Sequence, residues 1–311
     1  MIEQKPKRIL VIGSINMDLV LTLDRAPEAG ETVLGESYAY IPGGKGANQA
    51  VAAARLNGEV FFCGRVGSDS NGKILLENLA DNKVNTSYIT VDDSSQTGLA
   101  VIPVDSEGQN RIMVFPGSNY LVSREDVDRA MQKSYDAIML QLEIPLDIVY
   151  YAFEKAKAKG IPVVLDAAPA VEVDLSRLKG LYILSPNEYE ASKLTGIKAD
   201  SVENALKAAE ILRDSSSADY VIIKMGDKGA LLYDKGHYEM IPSYPVKAVD
   251  TTAAGDSFTA AVTVKALEHG NIAEAVRYAN AVGAICVSRR GAQPSLPTEE
   301  EVRKFLKGES I

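Results

Sequence analysis

The chain has 311 residues, 46% hydrophobic and 24% charged, and its 33 basic and 42 acidic residues give a net charge of −9. That profile excludes an intrinsically disordered chain, and the length suits one large α/β domain or a large domain with a small appendage. The acidic balance argues against nucleic acid or an anionic membrane as main partner, while a phosphate held locally by backbone N–H groups stays open.

Residues 8–15 begin the first apolar run, Ile9-Leu10-Val11-Ile12-Gly13. It is too short for a signal-peptide core, and no later stretch reaches the roughly 18 apolar residues of a membrane span, so the expected location is the cytoplasm. The run leads into Gly13-Ser14-Ile15-Asn16-Met17-Asp18. Asn16 and Asp18 share one side of an extended stretch and could grip vicinal hydroxyls, although a plain turn uses the same residue types. Residues 18–41 then alternate apolar and polar with no helical period.

Pro42-Gly43-Gly44-Lys45-Gly46-Ala47-Asn48-Gln49-Ala50 is a glycine-rich turn entering an alanine-rich helix over 47–57. No Ser or Thr follows the lysine and the glycine spacing is wrong, so this is neither a P-loop nor a dinucleotide fingerprint. A sugar clamp is the physical alternative: Gly43 and Gly44 permit close approach, and Lys45 and Asn48 hydrogen-bond hydroxyls.

Strands are expected at 60–66, 137–142, 162–165, 181–184 and 220–224, and helices at 72–82, 146–159 and 202–214. The alternation implies a mostly parallel sheet with helices on both faces. Residues 97–116 read instead as a hairpin turning at Asp105-Ser106-Glu107-Gly108. With the alternating segment they form a small inserted β-sheet lid, over about 17–42 and 97–116, in a single domain spanning 1–311. Two surface loops with some strand character are the bland alternative.

Three strand ends carry polar residues: Glu143 after the strand at 137–142, Ser185-Pro186-Asn187-Glu188-Tyr189-Glu190, and Lys224-Met225-Gly226-Asp227-Lys228-Gly229. Asn187 and Glu190, at i and i+3, can share a helical face, while Gly-Asp-Lys-Gly also suits a surface hairpin. Further on, Ala253, Ala254 and Gly255 lead into a helix running to about His269. Such a turn lets backbone N–H groups converge on an anion at the positive end of the helix dipole. Asp256 beside it can take a proton from an attacking hydroxyl, or can serve simply as an N-cap.

Cys63 and Cys286 lie in apolar runs and read as buried, reduced thiols. His237 falls in a turn-like stretch, and His269 precedes Gly270, where a cationic side chain suits a helix end. Neither histidine has a nucleophile or metal-ligand pattern around it, so acid–base chemistry rests on carboxylates or lysine.

The segment from Asp250 to Asp256 is similar to the C-terminal signature of the ribokinase family, the phosphofructokinase-B group of carbohydrate kinases. Pro42 through Ala50 resembles its N-terminal signature in the form typical of ribokinases, and the likeness runs from about Ile9 to beyond Ser295. The resemblance implies a ribokinase-like fold and transfer of the ATP γ-phosphate to D-ribose, giving ribose 5-phosphate with Asp256 as base. Sugar contacts are implied for Asn16, Asp18, Gly43, Gly44, Lys45, Asn48 and Glu143. Asn187 and Glu190 would position Mg2+ and phosphates, with Lys224, Gly226, Asp227, Gly229, Gly255 and Asn280 along the nucleotide. Arg289-Arg290-Gly291-Ala292-Gln293-Pro294-Ser295 resembles the loop that forms a monovalent-cation site for K+. Its implied ligands are Asp250, Thr252, Cys286, Arg289, Gly291 and Ser295, several through backbone oxygens; two arginines on a solvated helix end would explain the charges alone.

Ala167 stands where many family members carry proline. Bare lid edges point to a homodimer formed through the lid. Kinases of the same family for deoxyribose, fructose or a nucleoside are the near alternatives, and a non-catalytic sugar sensor the distant one.

Overall fold

In the computed structural model, which describes residues 5–310 apart from the side chain of His269, the first apolar run becomes β1 (Arg8–Ile12). Ile9 and Val11 pack into one core cluster, Leu10 and Ile12 into another, and all four are fully buried. A strand buried on both faces belongs inside a sheet covered on both sides, because successive side chains point opposite ways. Burying each such side chain contributes about 1.5–3 kcal/mol.

The chain continues through β2 (Asn16–Leu23), β3 (Gly35–Gly43), α1 (Lys45–Arg55), β4 (Glu59–Gly67), α2 (Ser70–Asp81) and β5 (Asn85–Asp92). Then come β6 (Gly98–Val104), β7 (Met113–Phe115), α3 (Arg124–Ala130), β8 (Ala137–Leu140), α4 (Leu146–Ala158), β9 (Val163–Leu165) and β10 (Ile183–Leu184). The last part holds α5 (Glu188–Thr195), α6 (Val202–Ser216), β11 (Tyr220–Lys224), β12 (Ala230–Asp234) and β13 (His237–Ile241). It closes with α7 (Ala254–His269), α8 (Ile272–Val287) and α9 (Glu299–Leu306).

Among the described residues, nine strands form one sheet in the order β13-β12-β11-β10-β9-β8-β1-β4-β5. Pairing is parallel from β5 to β11 and antiparallel through β12 and β13. Val51 of α1, Leu75 of α2, Val262 of α7 and Val282 of α8 cover one face. Val127 of α3, Phe153 of α4 and Leu212 of α6 cover the other. This is the expected fold class. The strand order reverses between β1 and β8, and the crevice at the carboxyl ends of such a switch point is where α/β sheets bind ligands.

Three strands of this sheet are not expected from sequence. β5 and β13 are its edges, where half-exposed polar sequences such as Asn85-Thr86-Ser87-Tyr88 leave little apolar pattern to read. β12 is joined to β11 through residues 225–229, so Gly-Asp-Lys-Gly does turn an antiparallel pair.

The lid segments form a second sheet in the order β3-β2-β6-β7. β2–β3 and β6–β7 are antiparallel, and β2 and β6 pair in parallel, joining two pieces that lie far apart in sequence. They are strands, not surface loops. Both cysteines are free and buried. His237 opens β13 directly after a turn in which Lys235 and Gly236 both have positive φ. Helix α7 ends at Gly270 in the left-handed conformation, whereas the dipole role suggested for the His269 side chain lies outside the described residues.

Candidate active site

The site is built where β1, β8, β9, β10 and β11 end and α1 and α7 begin. Gly44, at φ +87, turns the chain from β3 into α1, and a Cβ there would lie 2.7 Å from the Asn16 amide nitrogen. A Cβ on Gly46 would lie 2.7 Å from the Ser14 nitrogen, so α1 starts directly against the backbone leaving β1. Only glycine permits that approach. Glu143, beyond β8, accepts from the Ser14 hydroxyl at 2.5 Å and from the Lys45 amide at 3.1 Å, closing the crevice.

Helix α7 starts under strain. Its N-cap, Ala253, has φ 61 and ψ 4, a left-handed conformation that costs an L-residue about 1–2 kcal/mol. The Ala254 amide turns back to the Thr251 carbonyl at 3.3 Å. The amides of Ala253, Gly255 and Asp256 have no acceptor among the described residues. The expected turn of free amides forms with Asp256 in place of Ala254 among its unengaged donors, because a bent first turn engages the Ala254 amide.

Asp256 is the third residue of α7 and not its cap. Its Oδ2 accepts from Asn48 Nδ2 at 2.9 Å and its Oδ1 from Gln49 Nε2 at 3.5 Å. Asn48 keeps a buried Oδ1 without a partner among the described residues. Asp18 and the Lys45 ammonium lie within electrostatic reach of each other and of Glu143 and Asp256. Burial first, then the Glu143 and Asp256 charges, pushes the Asp18 carboxyl up to about 7. Burial opposes the charge on Lys45, but Asp256, Glu143, Asp166 and Glu190 outweigh it and raise the ammonium's pKa. A Cβ on Gly43 would collide with the Asp18 carboxylate, so that glycine makes room for the acid.

Asn16 is placed differently. Its Oδ1 accepts from Asn119 Nδ2 at 2.7 Å, and Asn119 also bonds both backbone groups of Ile15. Asn119 belongs to none of the sequence motifs and carries no local signal of this role.

Within electrostatic reach of Lys224 and Asp166, Asn187 and Glu190 form a reciprocal capping box at the start of α5. Glu190 gives only one oxygen to this cap, to the Asn187 amide at 2.8 Å. Burial raises its pKa, with Lys224 pulling down and Asp166 pushing up. Lys224, ending β11, donates to Asp166 Oδ1 at 2.7 Å. Asp166, absent from the residues expected of the site, is 1% exposed. Its sequence signal is a lone acid directly after an apolar strand.

The 226–229 loop stands at the edge of this set, with Asp227 exposed. Gly229, at φ +103, is required by the Ile241 carbonyl, which any Cβ at that position would strike. Asn280 donates to the Ile241 and Pro242 carbonyls, both at 3.0 Å, and so anchors the end of β13.

Asp250 ties two loops together, accepting from Thr252 N at 2.9 Å, Thr252 Oγ1 at 2.6 Å and Gly291 N at 2.9 Å. Against the cost of burial, these bonds hold its carboxyl below the ordinary range. Cys286 Sγ lies 3.0 Å from Ser295 Oγ and 3.6 Å from the Thr252 carbonyl. The Arg289 side chain turns away to Glu301 at 2.7 Å, leaving only its backbone for this loop.

Because the folded-state value of Asp18 lies above its unfolded one, its contribution to stability is full below about pH 4 and is lost as pH rises to about 7. Asp18→Asn should therefore gain melting temperature relative to the unsubstituted protein across that window, with a constant difference above it. A difference independent of pH from 4 to 8 would contradict the buried, acid-crowded placement of Asp18.

The model of the pfkB family of carbohydrate kinases matches residues 6–299. Haemophilus influenzae ribokinase is 39% identical over 302 residues, covering 96% of this chain and 98% of that protein. Salmonella typhi deoxyribokinase is 36% identical over 301 residues, with coverages of 96% and 98%. The structure of Arabidopsis thaliana ribokinase complexed with ribose and ATP superposes with a TM-score of 0.90 at 34% identity, over 97% of this chain and 99% of that one. With the free amide turn, the adjacent carboxylate and the crevice at the strand switch, these likenesses establish that the chain belongs to the pfkB family of carbohydrate kinases.

Proposed function

We propose that this kinase transfers the γ-phosphoryl group of ATP to the primary hydroxyl of D-ribose, with Asp256 as the base. One observation carries the reading: the Asn48 Oδ1 is buried without a hydrogen-bond partner among the described residues, next to Asp256 and a set of mutually interacting charges, Asp18, Lys45 and Glu143. Buried polar groups need partners, and a ligand with several hydroxyls supplies them. Names and ligands of the relatives support ribose and ATP. Deoxyribokinase among relatives of similar identity keeps 2-deoxyribose as the second reading.

Asp256 lies next to unengaged amides at the positive end of α7, so a hydroxyl deprotonated there attacks a phosphoryl group whose growing charge the amides hold. Mg2+ suits the donor set: Glu190 has one oxygen outside its cap, and this cation is commonly held by one or two carboxylates plus substrate phosphates. When bound, it neutralises phosphate charge. Among the described residues no cluster of three or more acidic, His or Cys side chains exists to hold a metal alone. The oxygens gathered near Asp250, Thr252 and Ser295 suit K+, a hard cation.

The whole chain acts as one domain in this reading, with the four-stranded sheet closing over the sugar to exclude water. The face of this sheet opposite Asp18 exposes Tyr38, Tyr40, Met113 and Phe115, an apolar face suited to pairing with a second lid. No helix of the described residues is long and apolar enough to cross a membrane.

Asp256→Asn should keep ribose binding by calorimetry and lower kcat by about 100- to 10,000-fold; near-normal turnover would remove Asp256 as the base. Sedimentation at micromolar concentration should give a dimer that Phe115→Glu converts to monomer. A monomeric mass for the unsubstituted protein would refute pairing through the lid.

A further inference from the structure

Between the sugar space and the end of β11 lies one fully buried anion that no role described so far uses. Asp166 follows β9, is 1% exposed, and divides its two oxygens. Oδ1 accepts from Lys224 Nζ at 2.7 Å. Oδ2 accepts from Gln49 Nε2 at 2.9 Å and from Thr259 Oγ1 at 3.4 Å. Gln49 is fully buried, and its own Oε1 is taken by Gln141 Nε2 at 2.6 Å, so its amino group has to face the acids. That same Nε2 reaches Asp256 Oδ1 at 3.5 Å.

Lys224 is held on the other side. Its Nζ is 3.4 Å from Thr259 Oγ1, one turn into α7, and Thr259 bonds the Gly255 carbonyl at 3.0 Å. A Cβ at Gly255 would find Lys224 Nζ 3.5 Å away, so the ammonium lies against the very turn whose amides are free. A buried lysine paired with a buried aspartate is at best a weak source of stability, because two desolvation costs offset the attraction. Its geometry, however, sets a positive charge beside an anion-binding turn and fixes it there.

We infer that Asp166 is a positioning residue: one oxygen aims the Lys224 ammonium at the transferring phosphoryl group, and the other, through Gln49, orients the Asp256 carboxylate. Resting on the kinase reading above, it adds to it a single buried anion that registers the base with the phosphoryl-site cation. Lys224 then contacts the γ-phosphoryl oxygens, a contact that ATP offers and ADP lacks. Asp166 touches neither substrate.

The test uses the full-length protein with Mg2+ and compares ATP with ADP by calorimetry, alongside kcat and sugar KM. Lys224→Met should weaken ATP by about 10- to 100-fold and leave ADP within about threefold, the loss of one charge-assisted contact. Asp166→Asn should lower kcat at least about tenfold with the ribose KM and the ADP affinity unchanged. Because Lys224→Met leaves a buried acid unpaired and so threatens folding, Asp166→Asn/Lys224→Met serves as the neutral replacement and should show the same loss of ATP preference. The inference is overturned if that double variant still prefers ATP as the unsubstituted protein does. It is equally overturned if Asp166→Asn turns over normally, or loses ribose, ATP and ADP together with a lowered melting temperature. Since the ATP-to-ADP ratio is read without sugar turnover, a wrong sugar assignment leaves this result interpretable.

Discussion

Five carboxylates, those of Asp18, Glu143, Asp166, Glu190 and Asp256, are gathered within electrostatic reach of two lysines, Lys45 and Lys224, at the end of the parallel sheet. Removing charges from water is costly unless each is paired or bonded, and much of the local architecture follows from that constraint. Glu143 is held by Ser14 and the Lys45 amide. Asp256 is held by Asn48 and Gln49, and Asp166 by Lys224 and Gln49. Gly43 leaves the volume that the Asp18 carboxylate fills.

The remaining imbalance is chemically useful. Acids that crowd one another raise each other's proton affinity, and a cationic or hydroxyl-bearing ligand relieves the crowding. In the proposed reading, an ATP-bound divalent cation would add positive charge on the Glu190 side, and sugar hydroxyls would satisfy Asp18, Lys45 and Asn48 on the other. The strained turn at Ala253 frees three amides between these two regions. Strain of this sort persists when the surrounding structure fixes it, here the loops tied by Asp250.

The parallel sheet and the entry of α7 are legible in sequence because they carry local signals: branched apolar runs, and small residues opening a helix. Asp256, Lys45 and Asn48 are legible for the same reason, since their motifs are contiguous. The edge strands β5 and β13 are not, being half polar, and the parallel junction of β2 with β6 is not, because pairing across a long insertion leaves no local trace. Long-range partnerships are equally hidden. Asn48 meets Asp256 across 208 positions, and Gln49 meets Asp166 across 117. Residues within motifs also serve the scaffold. Gly229 is set by a backbone approach, Asn16 is engaged by Asn119, and Asn187 caps α5, roles that look identical to ligand contacts when read as letters.

The unsatisfied polar groups around Asp256 suit a sugar whose hydroxyl receives the γ-phosphoryl group of ATP. The most direct measurement is ADP release on ribose, 2-deoxyribose, fructose and a set of nucleosides, each with and without potassium. Fast turnover on ribose that rises with potassium is the expected result. Silence on every acceptor, with ribose still bound, would contradict it and leave a sugar-binding protein without kinase activity.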